Sequence, residues 1–279
     1  MEKIAVAIDG TNINPQALDF ACYLGNLTRA TITGIFLENL VANERPVLTE
    51  AYGAAYLEWE VDKDSEDYKR KMATIDHNIS FFKNACEKRG VRYCIRRDEG
   101  SPAKEIIEET RYADVLVIDA ETSFNKRFEG NPSDFVKDVL KEAECPVVIA
   151  PETFDGINEI IFTYDVSKSS VFAVKQFTYL FPQLEDVKVT VVHVDENGEV
   201  PGPEKKKFQD WLSGHYSEIH FEELKGDPES ELFAYLLRKK NVFMITGAYG
   251  RSAISRFFKH SRADLLIKTI TQAIFIAHY

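Results

Sequence analysis

Short apolar runs alternate with segments of helical periodicity along the whole chain. Runs such as Ile4–Ile8, Val115–Ile118 and Val242–Ile245 are long enough for one strand each. They are continuously apolar, which is typical of strands buried on both faces of a parallel sheet. The segments between such runs carry apolar residues three and four positions apart, which predicts amphipathic helices. Strands that alternate with helices need right-handed crossovers, so the pattern predicts parallel sheets covered by helices on both faces.

This pattern of elements occurs twice. The first strand and its terminal acidic residue, Ile4–Asp9, align with Ile160–Asp165 at an offset of 156 residues. The offset falls to about 128 for the later strands, so the first half carries an insertion of about 28 residues within 38–89. We expect one or two helices there, the later part being the more regular. They either cover the sheet or form a lid or docking arm.

A turn-rich link, Pro151–Gly156, separates the two copies. We therefore expect a first domain over 1–152 and a second over 153–279. Each domain is predicted to be doubly wound and Rossmann-like, with five parallel strands and helices on both faces. Helix starts are expected at Pro102 and Pro228, because each proline follows a Ser or Asp that can act as an N-cap.

Composition excludes several classes of function. The chain has 279 residues and a formal net charge of −11, which argues against nucleic acid or an anionic membrane as the main partner. No apolar run approaches the roughly 20 residues of a membrane helix, and the start lacks a signal-peptide layout. The four cysteines form no CxxC pair and are expected to be reduced packing residues of a cytoplasmic protein. Metal-ligand spacing is also absent from His77, His215, His220 and His278.

The segment Val242–Ser261 is the strongest candidate for a binding site. Gly247 and Gly250 follow a buried strand and would let the backbone approach an anion, since no Cβ intervenes. Ser261 precedes a helix-like segment whose N-terminus would favour negative charge. The basic residues nearby are Arg251, Arg256, Lys259 and His260. The segment is either a phosphate-binding loop or a glycine-rich turn with a solvated basic face.

These features together resemble a tandem universal stress protein over both halves. The opening stretch IAVAIDGTNINPQALDFACYL and the closing stretch VLKEAECPVVIAPE look like the ends of that family's domain. The family's signature, G-x2-G-x9-G-S/T, is matched at Gly247, Gly250 and Ser261, with His260 at the third glycine. The resemblance implies an adenine nucleotide alpha hydrolase-like fold. It also implies ATP as ligand, with Mg or Mn held through the phosphates.

The resemblance assigns a role to several residues of the second half. Asp165 would lie beside the ribose, and the backbone of Val194 would contact adenine. Gly247 and Gly250 would line the phosphate path next to the basic cluster that includes Arg251, and Ser261 would contact a phosphate. His260 would either obstruct the phosphates or, when protonated, contact one and strengthen binding at lower pH.

The first half departs further from the signature. Asp119 and Thr122 occupy the two glycine positions, and Ser133 and Asp134 replace the final pair. Carboxylates at the place of a triphosphate are electrostatically unfavourable, so we expect no nucleotide in this half. Asp9, at the strand end equivalent to Asp165, is expected to take a turn or capping role.

The resemblance also implies contacts between the halves. The last strands, Val147–Ala150 and Ile274–Ala277, would pair as an intrachain pseudo-dimer, and a homodimer of whole chains is the alternative. The leading hypothesis is a regulatory or protective stress-response protein that binds ATP through its second half. No P-loop, dinucleotide or G-x-S-x-G motif indicates a fast enzyme, so slow ATP hydrolysis is the most we expect. The alternatives are an interaction scaffold without nucleotide, or an adenylating enzyme, which the missing SGG-type loop disfavours.

Overall fold

The chain folds around one large sheet that contains strands from both halves. The computed structural model describes residues 1–40, 44–51, 54–125, 132–196, 198–247 and 272–277. The elements of the first half are β1 (Lys3–Asp9), α1 (Pro15–Thr28), β2 (Thr31–Leu37), β3 (Glu44–Ala51), β4 (Ala54–Val61), α2 (Glu66–Lys88), β5 (Tyr93–Asp98), α3 (Pro102–Thr110), β6 (Val115–Ile118), α4 (Asp134–Glu142) and β7 (Val147–Ile149). Those of the second half are β8 (Glu159–Thr163), α5 (Lys168–Leu180), β9 (Lys188–Asp195), α6 (Gly202–Leu212), β10 (Ile219–Lys225), α7 (Pro228–Leu236), β11 (Val242–Gly247) and β12 (Ala273–Ala277).

The ten strands of the main sheet are ordered β10-β9-β8-β11-β12-β7-β6-β1-β2-β5. All neighbours within each group of five pair in parallel. The groups meet where β12 pairs antiparallel with β7, and Phe275 there lies opposite Val148. The predicted α/β class with a mostly parallel sheet is thus confirmed. The domain limits and the description as a pseudo-dimer stay predictions.

Helices cover both faces of the sheet and bury two apolar layers. One layer takes residues from α1, α2, α5 and α6, and the other from α3, α4 and α7. The central strands contribute to both layers, which explains their continuous apolar sequence. In the first layer, the ring of Phe20 on α1 meets that of Phe243 on β11 edge to face, with centroids 5.8 Å apart. Aromatic packing therefore connects the two halves as well as the strand pairing.

The insertion differs from the prediction in its first part. Residues 44–51 and 54–61 pair as the antiparallel strands of the hairpin β3–β4, with Leu48 opposite Leu57, and not as a helix. Pro46 disfavours a helix interior, because its ring fixes φ and removes an N–H donor. The later part is the helix α2, as expected, and its N-cap Ser65 accepts a hydrogen bond from the amide of Tyr68 at 3.2 Å.

The predicted helix starts at Pro102 and Pro228 are confirmed. Asp227 caps α7 by accepting a hydrogen bond from the amide of Ser230 at 3.0 Å. Capped helices that follow directly on parallel strands place their N-terminal turns at the carboxyl edge of the sheet, and that edge is where ligands bind in such folds.

Candidate functional site

The strand order reverses once in each half, and the candidate site lies at the reversal in the second half. There β8 lies between β9 and β11. The chain continues from β8 to β9 on one side and later returns to form β11 on the other side of β8. The carboxyl ends of strands at such a switch point form a crevice. Asp165 follows β8, Val194 lies near the end of β9, and Gly247 ends β11. The fold thus brings these three predicted residues to one edge of the sheet.

Asp165 lies in a tight turn between β8 and α5. Its Oδ1 accepts a hydrogen bond from the amide of Ser167 at 3.1 Å. Ser167 is the N-cap of α5, and its hydroxyl accepts from the amide of Ser170 at 3.1 Å. Between them, Val166 has a φ of 66°, a value that β-branched residues rarely adopt. Nothing in the sequence marks this conformation, because strained loops usually carry glycine or asparagine there.

Gly247 is buried where β11 meets the first turn of α5. A Cβ atom at this position would lie 2.4 Å from the carbonyl carbon of Ser169 and 2.6 Å from the amide nitrogen of Ser170. Those atoms belong to the backbone of α5 and cannot swing aside. The packing of helix against strand therefore requires glycine here, whether or not the residue also contacts a phosphate.

His193 and Val194 lie near the end of β9, the second strand of this half. Val194 is half-buried and lies opposite Leu224 of β10. His193 is only 5% exposed. Its Nδ1 donates a hydrogen bond to the carbonyl oxygen of Tyr164 at 2.8 Å. The ring of Tyr164 in turn stacks on Phe208 of α6, with centroids 4.2 Å apart.

The other predicted ligand residues lie outside the described residues, so their roles stay predictions. They are Gly250, Arg251, His260 and Ser261. Within the described ranges, no three His, Cys, Asp or Glu side chains come together as a metal site. In the same part of the chain, no helix is both long and apolar enough to cross a membrane.

The equivalent switch point of the first half lies between β1 and β6 and carries two carboxylates. Oδ1 of Asp9 accepts hydrogen bonds from the amide and the hydroxyl of Thr11, both at 2.8 Å, so Asp9 takes the expected turn role. Burial raises the pKa of Asp9, although the Thr11 bonds oppose this shift. Asp119 accepts a hydrogen bond from Nδ2 of Asn14 at 2.9 Å. Both acids line a small cleft at this edge of the sheet.

The loop after Asp119 is stabilised by its own polar contacts. Ser133, at the position of the final glycine, is 1% exposed and donates its hydroxyl to the carbonyl oxygen of Thr122. The same hydroxyl caps α4 by accepting from the amide of Val136 at 3.2 Å. Asn14, which sequence analysis did not single out, caps α1 while its amide group holds Asp119. The helix-start signal Asn14-Pro15 could have identified it.

Comparison with known proteins gives matches over the whole chain, although no family model matches. A curated relative, universal stress protein Slr1230 of Synechocystis, is 21% identical over 285 residues, which cover 96% of this chain and 97% of that protein. A universal stress protein from Archaeoglobus fulgidus aligns in structure with a TM-score of 0.71 at 16% identity, covering 99% of this chain and 96% of the other. A protein from Pseudomonas aeruginosa, named as a putative universal stress protein, aligns with a TM-score of 0.59 at 13% identity. That alignment covers 100% of this chain and 93% of the other. These structures share the fold along the full length.

Proposed function

Because the whole chain resembles universal stress proteins, as its sequence motifs indicated, we propose that it is a stress-response protein that binds ATP through its second half. The binding would regulate the protein or its partners, with Mg or Mn held by the phosphates. We place the protein in the cytoplasm. We assign it no fast catalytic step, because the sequence carries no P-loop, dinucleotide-binding or G-x-S-x-G motif.

The contrast between the two switch points carries the proposal. In the second half, Gly247 ends β11 and adds no charge beside Asp165. In the first half, Asp119 stands at the position of Gly247 and is fixed by Asn14. A phosphate at the first switch point would meet Asp119 at close range, which is electrostatically unfavourable. The second switch point lacks this obstacle at Gly247.

The three predicted site residues that the structure describes each have a chemical role in the proposal. The carboxylate of Asp165 would accept hydrogen bonds from the ribose hydroxyls, as acidic residues at such strand ends do in related nucleotide folds. Backbone atoms of Val194 would contact adenine, and Gly247 would begin the phosphate path. A regulatory effect requires ATP to bind two conformations of the protein with different affinities. ATP binding must therefore be measured before any switching.

Isothermal titration calorimetry with two matched variants tests the proposal. Asp165→Asn removes the charged acceptor of the second half, and Asp9→Asn makes the same change at the equivalent strand end of the first half. A hydrogen bond to a charged group contributes about 1.5–3 kcal/mol, so Asp165→Asn should weaken ATP binding by about tenfold or more. Asp9→Asn should leave it unchanged. Equal effects of both variants, or an effect of Asp9→Asn alone, would contradict the proposal.

The interaction scaffold without nucleotide remains the second candidate, and one observation favours it. On the hairpin β3–β4, Leu48 is 68% and Leu57 is 65% exposed, although they lie opposite each other on one face. Exposed apolar pairs of this kind mark contact surfaces more often than isolated exposed residues do. If purified protein neither binds ATP nor shows a thermal shift at millimolar ATP, the interaction scaffold becomes the better explanation of what the protein does.

A further inference from the structure

His193 is a buried side chain with one satisfied and one unsatisfied nitrogen. Its Nδ1 donates to the carbonyl oxygen of Tyr164 at 2.8 Å, and a carbonyl can only accept, so the hydrogen resides on Nδ1. Its Nε2 is buried and has no hydrogen-bond partner. The nearest carboxylate oxygen, Oδ2 of Asp195, is 3.6 Å away, which is beyond hydrogen-bond distance.

Packing alone does not account for a histidine here. Leaving a buried polar atom without a partner costs free energy, and an apolar ring in its place would avoid that penalty. What histidine adds is the bond to the carbonyl oxygen of Tyr164.

That bond fixes the start of the loop that presents Asp165. The amide of Tyr164 donates to the carbonyl of Val192 at 2.9 Å, so both backbone groups of Tyr164 are held by β9 and its side chains. Asp165 and the strained Val166 follow immediately. A residue with positive φ and a branched Cβ persists only where the surrounding structure enforces it. His193 supplies part of that enforcement.

We propose that His193 is a positioning residue for nucleotide recognition: it holds the Tyr164 carbonyl so that the Asp165 carboxylate faces the ribose hydroxyls. This inference rests on the proposed function. It adds that recognition of the hydroxyls, and not of the phosphates or the base, depends on a side chain of the neighbouring strand β9.

Two variants with amide side chains distinguish the roles of the two ring nitrogens of His193. Asn places its Nδ2 near the position of Nδ1 of histidine, so His193→Asn keeps the donor to Tyr164. Gln extends further and places its amide near Nε2, so His193→Gln loses that donor. Each variant is titrated with ATP and with 2′,3′-dideoxy-ATP, which lacks both ribose hydroxyls. We expect the native protein and His193→Asn to prefer ATP by about tenfold, and His193→Gln to bind both nucleotides equally.

A role in stability alone gives a different result. Loosening the fold would weaken the binding of ATP and of 2′,3′-dideoxy-ATP by the same factor. The ratio of the two affinities would then be unchanged, which would overturn the inference. Combining His193→Gln with Asp165→Asn gives a further test, because residues that act through one another are not additive. The double variant should lose no more preference for ATP than Asp165→Asn does. Fully additive losses would also overturn the inference.

Hydrogen exchange without nucleotide distinguishes failure of this inference from failure of the proposed function. The amides of Val166 and Ser167 should exchange at least several-fold faster in His193→Gln than in His193→Asn. The control is His220→Gln on β10, where the ring is exposed and its Nε2 lies 2.8 Å from Oε1 of Glu218. Unchanged exchange in His193→Gln would refute the positioning role. Faster exchange in a protein that binds no ATP would refute the proposed function and, with it, the role of His193 in recognition.

Discussion

Gly247→Ala tests how closely α5 packs against the end of β11. The added Cβ would lie 2.4 Å from the carbonyl carbon and 2.5 Å from the carbonyl oxygen of Ser169. Carbon atoms in contact prefer about 3.5–4.0 Å, so helix and strand would have to separate by about 1 Å or more. Overpacking of this kind costs about 1–3 kcal/mol, and backbone neighbours place this case at about 2–3 kcal/mol. The melting temperature should fall by about 5–10 °C.

Urea denaturation followed by circular dichroism measures this loss, and Gly202→Ala is the matched control. Gly202 opens α6, and a Cβ there would meet nothing within 4 Å. Alanine is the better helix former by up to about 1 kcal/mol, so the control should be neutral or slightly stabilising. A Gly247→Ala protein as stable as the native one would refute the argument that packing requires this glycine.

Three other changes give further predictions. Val166→Gly should cost less than about 1 kcal/mol in urea denaturation although it removes a half-buried side chain that packs on the core, since glycine adopts the φ of 66° without steric penalty, and a larger loss would contradict the strain. Glu159→Gln should cost about 2 kcal/mol at pH 7, because it removes a buried ion pair with Lys239 at 2.8 Å. Burial acts to raise the pKa of Glu159, but the hydrogen bonds it accepts lower it overall, so this stabilisation is present above the unfolded pKa and lost as pH falls through the folded pKa. Thermal melts of the two proteins should therefore converge in acid, and a constant gap would contradict the pair. Replacing Leu48 and Leu57 by serine should change stability by less than about 0.5 kcal/mol, because both are exposed, and a larger loss would show that they pack on the protein.

Sequence predicted the parallel sheet because its signal is carried by many residues at once. Continuous apolar runs such as Val115–Ile118 can hardly be anything but buried strands when helical segments lie between them. The proline-led starts of α3 and α7 were predictable for a local reason, since a capping residue before proline leaves few alternatives to a helix. Both signals act over a few residues and need no tertiary information.

The hairpin and the turn around Asp165 were not predictable in the same way. Strands β3 and β4 form a two-stranded unit outside the main sheet, so burial on both faces, the strongest strand signal, is missing there. The turn that holds Val166 at its φ combines a local bond, from the amide of Ser167 to Asp165, with the bond between His193 of β9 and the carbonyl oxygen of Tyr164. Such features depend on neighbours that are distant in sequence.

Equilibrium dialysis with labelled ATP measures the stoichiometry of binding and tests the central claim most directly. The account predicts one ATP per chain, because the second switch point lacks the carboxylate that Asp119 places in the first. Binding should be lost or strongly weakened in Asp165→Asn and retained in Asp9→Asn. Two ATP molecules per chain, or none at millimolar concentration, would contradict it.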